Sequence, residues 1–175
     1  MRRIMMLSLA GVMLALSPLW AQQPTCRNCP GTYISNEEVR AYIKRAADNN
    51  LTDQQIRAVD IGKINLDVGV VYRDKLVKPA DASVAEHDLV SELYHVIDGT
   101  ATLMLGPDIV GAKRRPADLE TVRLFNGPGN NGTSIRNGVS YNLKPGDVVI
   151  IPAGTGHWFT PNKSEAESKT YLGTR

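Results

Sequence analysis

GDVVIIPAGTGHWFTPN, residues 146–162, is the stretch on which the fold turns. The apolar run Val148–Ile151 suits a buried strand, and Pro152, Gly154 and Gly156 then demand a tight turn. A second apolar stretch follows, and its first residue is His157, one of only 3 histidines in the chain. A histidine placed there packs, binds a metal or moves protons. The remainder of the sequence has to discriminate among these.

On both sides of this stretch the chain reads as short strands. AVDIGKINLDVGVVYR (58–73) alternates, with Ile64, Leu66, Val68 and Val70 on one face. ELYHVIDG, TATLMLG, ETVRLF, SIRNGVSYNL, HWFT and KTYLGT are further strand candidates, separated by the turn signals DGT, NGPGNNG, RNG, KPGD and PAGTG. Many short strands with Gly/Pro turns predict an all-β sandwich or barrel. The exception is SNEEVRAYIKRAADNN. There Ser35 and Glu38 form a capping box, and Val39, Tyr42, Ile43 and Ala46 make a helical stripe. The helix is expected to end near Asn49 and Asn50, within a helical segment placed at 35–56 in which a further short turn opens at Thr52–Asp53.

Length and composition agree with one domain. The chain has 175 residues, 42% of them hydrophobic, enough for a single core. A formal charge of +2 argues against a nucleic-acid partner, and the basic cluster AKRRP (112–116) reads as a solvated loop. The first 21 residues combine two arginines, a short apolar run, Pro18 and a small residue, Ala21, which predicts a cleaved secretory signal peptide. The expected location is secreted or periplasmic, with no membrane anchor left in the mature chain. The leader 22–34 carries Cys26 and Cys29. In an oxidising compartment this spacing predicts a small local disulfide, with a redox pair or half a metal site as alternatives.

The histidines are His87, His95 and His157. In EHDLVSELYHVIDG, a turn through Asp88–Ser91 lets His87 and Glu92 face one interior from two successive strands. His95 lies at an odd offset from Glu92 and should face away, whereas Tyr94 and Val96 share the Glu92 face.

HDLVSELYHVIDG resembles the first cupin motif, G-x5-H-x-H-x3,4-E-x6-G, with His87 on its second histidine, Glu92 on its glutamate and Gly99 on its closing glycine. GDVVIIPAGTGHWFTPN resembles the second, G-x5-P-x-G-x2-H-x3-N, through Gly146, Pro152, Gly154 and His157. The departures are Ala85 for the first histidine, Pro79 for the leading glycine, and Pro161 for the asparagine, with Asn162 next. The resemblance implies a single jelly-roll-like cupin barrel over 57–175, preceded by one amphipathic α-helix. It also implies one divalent transition metal (Fe, Mn, Ni or Zn) on His87, Glu92 and His157, a donor set that leaves open positions for substrate.

Two functions follow from that resemblance. One is a metal-dependent enzyme acting on a small organic molecule as an oxygenase, lyase or isomerase, with Tyr94 as the candidate acid–base residue. The other is a non-catalytic small-molecule-binding protein. Arg73, at a strand end, is a candidate anion contact, and a homodimer is a family expectation.

Overall fold

The computed structural model describes residues 30–49, 51–62, 64–73 and 83–160, together with the backbone of 169–174. Residues 1–21, read above as a signal peptide, and Cys26, Cys29, Pro79, Pro161 and Asn162 lie outside the described residues.

Ser35 caps helix α1 (Asn36–Asp48): its Oγ accepts the Glu38 backbone N–H at 3.1 Å. The Glu38 carboxylate does not close the box. It meets Arg57 Nη2 at 2.6 Å instead and ties the helix to the first strand. The helix stops at Asp48 with Asn49 as its C-cap, where the sequence reading ended it near Asn49 and Asn50, while the segment drawn over 35–56 is helical only to that point. Residues from Asp53 onward are strand, where Gln54, Gln55 and Arg57 find partners across a hairpin and Ile56 is the bulge between them.

That hairpin is β1 (Asp53–Asp60) and β2 (Asn65–Arg73). The long strand read over 58–73 is therefore broken at its middle. The Asp60 carboxylate accepts the Gly62 N–H at 2.7 Å, Gly62 adopts φ 110°, and Ile64 falls in the exposed turn. Farther along β2, Val71 enters the core between the sheets, while Val70 is fully buried on the opposite face, on the side of α1.

The next strands are β3 (Val84–His87), β4 (Glu92–Asp98), β5 (Ala101–Gly106), β6 (Asp108–Val110), β7 (Lys113–Arg114), β8 (Gly129–Gly132) and β9 (Ser134–Arg136). After them come β10 (Val139–Leu143), β11 (Val148–Ile151), β12 (Gly156–Thr160) and β13 (Lys169–Thr174). They build a sheet of order β1-β2-β13-β4-β11 facing a second of order β10-β5-β12-β3-β8-β7, with β6-β9 as a small separate ribbon. Val71, Tyr94, Val96 and Ile151 from the first sheet pack with Ala101, Leu103, Leu143 and Phe159 from the second. This is the all-β sandwich the alternation predicts, entered by one helix.

Three further readings change. ETVRLF is not a strand: Val122–Asn126 winds into a π-helical turn whose Arg123 N–H reaches Leu119 O at 3.0 Å. Only Val122 of its apolar residues is buried, so no sheet edge claims the segment. SIRNGVSYNL is two strands with different partners, because Asn137 at φ 55° turns the chain from the β6 ribbon to β5. The run Val148–Ile151 is an edge strand bonded to β4, with Ile151 buried and Val148 and Ile150 facing out.

Two glycines bring the ribbon close to the strand that carries His157. Gly156 faces Gly106 across β12 and β5. A Cβ on Gly156 would stand 2.8 Å from both Gly106 O and Ile109 Cγ1. Gly156→Ala is expected to destabilise the protein by about 1–3 kcal/mol through overpacking, read as a fall in Tm of roughly 2–4 °C per kcal/mol. An unchanged Tm would show that β6 is free to move away from the barrel.

Candidate metal centre

The sequence brings three polar side chains into an apolar interior from two distant places. His87 is the last residue of β3 and Glu92 the first of β4, so the turn Asp88–Ser91 carries the chain from one sheet to the other. His157 stands on β12, beside β3 in the same sheet. The PAGTG turn is fixed to that crossing by its backbone: Gly154 N–H donates to His87 O at 2.8 Å, and Ala153 N–H to Ser91 Oγ at 3.0 Å. Gly154, at φ 78°, adopts a left-handed conformation that a side chain would strain. The two halves of the site are thus joined by hydrogen bonds donated from the main chain of that turn.

Within it, His87, Glu92 and His157 are all buried, and one ligand atom from each lies within 4.8 Å of the others. The Glu92 carboxylate sits between the rings, with Oε1 3.5 Å from His87 Nε2 and Oε2 3.4 Å from His157 Nε2. Donors bound about 2.1 Å from one ion are about 3.0–3.4 Å apart in octahedral or tetrahedral geometry. The donor types suit a divalent transition metal, and the two carboxylate–imidazole spacings, one from each oxygen, lie at the upper edge of that range and just beyond it. His157 also has the outer contact such a ligand needs, its Nδ1 facing Thr155 O at 3.4 Å.

Tyr94 shares the Glu92 face, as alternation predicts, and its hydroxyl donates to Glu92 Oε2 at 2.9 Å. Its ring meets His157 edge-on at 6.4 Å and stacks on Phe159 at 6.0 Å. Arg73 closes this wall, its guanidinium 5.5 Å from the Phe159 centroid. Arg73 also donates through Nη1 to the carbonyls of Thr52 and Tyr72, both at 2.9 Å. His95 is exposed on the outer face of β4, as expected.

Ala85 occupies an informative place. It shares a strand face with His87, two residues on, and is the direct cross-strand partner of His157. The small residue therefore stands beside both imidazoles and supplies no donor.

Sequence reasoning missed a second layer. The AKRRP stretch is not simply a solvated loop: Lys113 and Arg114 form β7, beside β8. Arg114 grips Asp88 with both guanidinium nitrogens, Nη1–Oδ1 at 2.8 Å and Nη2–Oδ2 at 2.5 Å, and this contact holds the Asp88 carboxyl below its usual range. Arg115 turns inward and is half-buried, and burial lowers its guanidinium pKa from the ordinary arginine value. Its Nη2 donates to Glu86 O at 2.5 Å and lies 3.0 Å from His87 Nδ1. Buried Glu86 in turn receives the Asn130 backbone N–H at 3.1 Å and side-chain amide at 2.6 Å. These partners are separated by up to 44 residues, and no spacing rule connects them.

No protein-family model and no curated protein matches the chain. Among solved structures it is similar to a Cupin 2 conserved barrel domain protein from Salinispora arenicola CNS-205 (TM-score 0.40, 16% identity, 84% of this chain and 88% of that one covered). It is also similar to hydroquinone 1,2-dioxygenase from Sphingomonas sp. TTNP3 with 4-hydroxybenzoate bound (TM-score 0.44, 13% identity, 86% and 84% covered). A third is DMSP lyase DddQ from Ruegeria pomeroyi DSS-3 (TM-score 0.37, 18% identity, 62% of this chain but 36% of that one). These likenesses are distant. The chain's own topology carries the description of the fold: a β-sandwich of two facing sheets, both motif turns closed on each other, and motif glycines Gly99, Gly146 and Gly154 at φ 73°, 91° and 78°. This is the architecture that the cupin resemblance implies.

Removing the Tyr94 hydroxyl takes a donor from a buried carboxylate. Tyr94→Phe is expected to destabilise the metal-free protein by about 1–3 kcal/mol, measured by urea unfolding. Unchanged stability would show that Tyr94 does not hold Glu92.

Proposed function

We propose that the protein is an exported, metal-dependent cupin enzyme acting on a small organic molecule, with one divalent transition metal held by His87, Glu92 and His157. The observation that carries this reading is the buried Glu92 carboxylate flanked by two imidazole nitrogens at 3.5 and 3.4 Å. A glutamate buried among apolar residues is costly unless charge or hydrogen bonds compensate it. A dication satisfies that carboxylate and both rings at once.

When bound, the ion supplies Lewis acidity or redox capacity, and three protein donors leave positions open to a substrate. The protein's own residues do the rest. Glu92 and His157 fix the ion's position from opposite sheets, so the reacting centre is rigid. Phe159 and Val71 are core residues that keep bulk water from the Tyr94 side of the cluster. Tyr94 holds a proton at its hydroxyl, 2.9 Å from Glu92 Oε2, which makes it the acid–base residue of this proposal. The aromatic wall of Tyr94, Phe159 and His157 suits a flat or apolar substrate, and Arg73 beyond it suits an anionic end.

Elemental analysis of the purified protein should give about one transition metal per chain, with most of it lost in His157→Ala. Equal content in the two would remove the proposed site. Ala85→His, which adds an imidazole beside the other two, should raise metal affinity about tenfold or more. A site that gains nothing from that donor has its centre elsewhere.

Export makes a separate expectation. Protein recovered from the periplasm or medium of an expressing bacterium should begin at Gln22, by N-terminal sequencing. Recovery of only the uncleaved chain from the cytoplasm would refute it.

A further inference from the structure

The two histidines of the cluster are held in opposite ways. A histidine that binds a metal through one ring nitrogen carries its proton on the other, and that N–H is ordinarily given to a carbonyl or carboxylate. His157 meets this description through Thr155 O. His87 does not, because its Nδ1 faces Arg115 Nη2 at 3.0 Å. A guanidinium only donates. In that contact Nδ1 is the acceptor, so the neutral ring carries its proton on Nε2, directed at Glu92 Oε1. Turning the ring over would place carbons against both Arg115 and Glu92 and lose both contacts.

The surroundings hold Arg115 in that position. Its backbone N–H donates to Gly129 O at 3.0 Å, Nη2 to Glu86 O, and Nη1 to Asn131 Oδ1 at 3.3 Å. The guanidinium passes over Gly129 so closely that a Cβ there would collide with Nη2. The strand β8 thus keeps a glycine where the arginine has to lie.

We propose that Arg115 is a positioning residue that fixes His87 with its proton on Nε2 and thereby opposes metal entry. The inference rests on the metal reading above. For His87 Nε2 to ligate, the ring releases that proton to solvent, Arg115 turns away, and a proton from solvent takes its place on Nδ1. The guanidinium charge beside the ring opposes a cation for the same reason of sign. Both effects make the site bind its metal more weakly than its three donors alone dictate, and both depend on one side chain. Glutamine in its place offers a carbonyl oxygen that accepts the Nδ1 proton, the arrangement His157 already has.

The test uses the full chain, stripped of metal with a chelator, as wild type and Arg115→Gln, with Arg115→Met as the second variant. Nitrogen-15 NMR of the metal-free proteins reads which ring nitrogen of His87 bears the proton. Calorimetric titration with Zn(II) reads affinity. The expected result is Nε2–H in wild type and Nδ1–H in Arg115→Gln, with Zn(II) bound about tenfold more tightly by the glutamine variant. Arg115→Met should also bind more tightly than wild type, by a smaller factor, because it removes the donor and the charge and adds no acceptor. A proton on Nδ1 in wild type, or Zn(II) affinity in neither variant above wild type, would overturn the proposal. Failure of the wild type itself to bind Zn(II), Mn(II), Ni(II) or Fe(II) would instead overturn the metal reading, whereas the NMR result still decides whether Arg115 sets the tautomer.

Discussion

A single buried carboxylate organises this molecule. Glu92 lies between two sheets, with an imidazole near each oxygen and a tyrosine hydroxyl on one of them. Burying an uncompensated carboxylate costs several kcal/mol. Its neighbours are therefore constrained as tightly as the residue itself. The crossing at Asp88–Ser91, the left-handed Gly154 and the glycines that press the ribbon onto β12 all serve to deliver these groups to one point. Hydrogen bonds from the main chain of the PAGTG turn, to His87 O and to Ser91 Oγ, join the two strand pairs that provide them.

What the sequence made legible divides along the same line. Alternation placed Tyr94 with Glu92 and His95 outside, because a strand face is a local property with period two. The two motifs placed His87, Glu92 and His157 together, because their turns need particular glycines at particular spacings. Arg115 was illegible: basic residues beside a proline carry the same local pattern in a solvated loop and in a strand end that turns inward. Its role depends on partners 16 to 29 residues away. The ETVRLF segment failed for a related reason. Its apolar residues fit a strand, but the competition among strands for sheet edges is global and does not show in the local pattern.

Ala85 links the fold to the chemistry. It faces inward beside His87 and pairs across the ladder with His157. Its loss of a donor leaves the carboxylate more dependent on two rings, and those rings are not equivalent. His157 presents a lone pair to the centre through its contact with a carbonyl, whereas His87 presents a proton through its contact with a guanidinium. Glu92 Oε2 accepts from Tyr94, and Oε1 lies 3.5 Å from His87 Nε2, beyond good hydrogen-bond length. On the metal reading proposed above, an ion entering here would have to displace the contact between His87 and Arg115. The residue that sets the balance then stands outside the donor set, on the strand connection that carries Arg115.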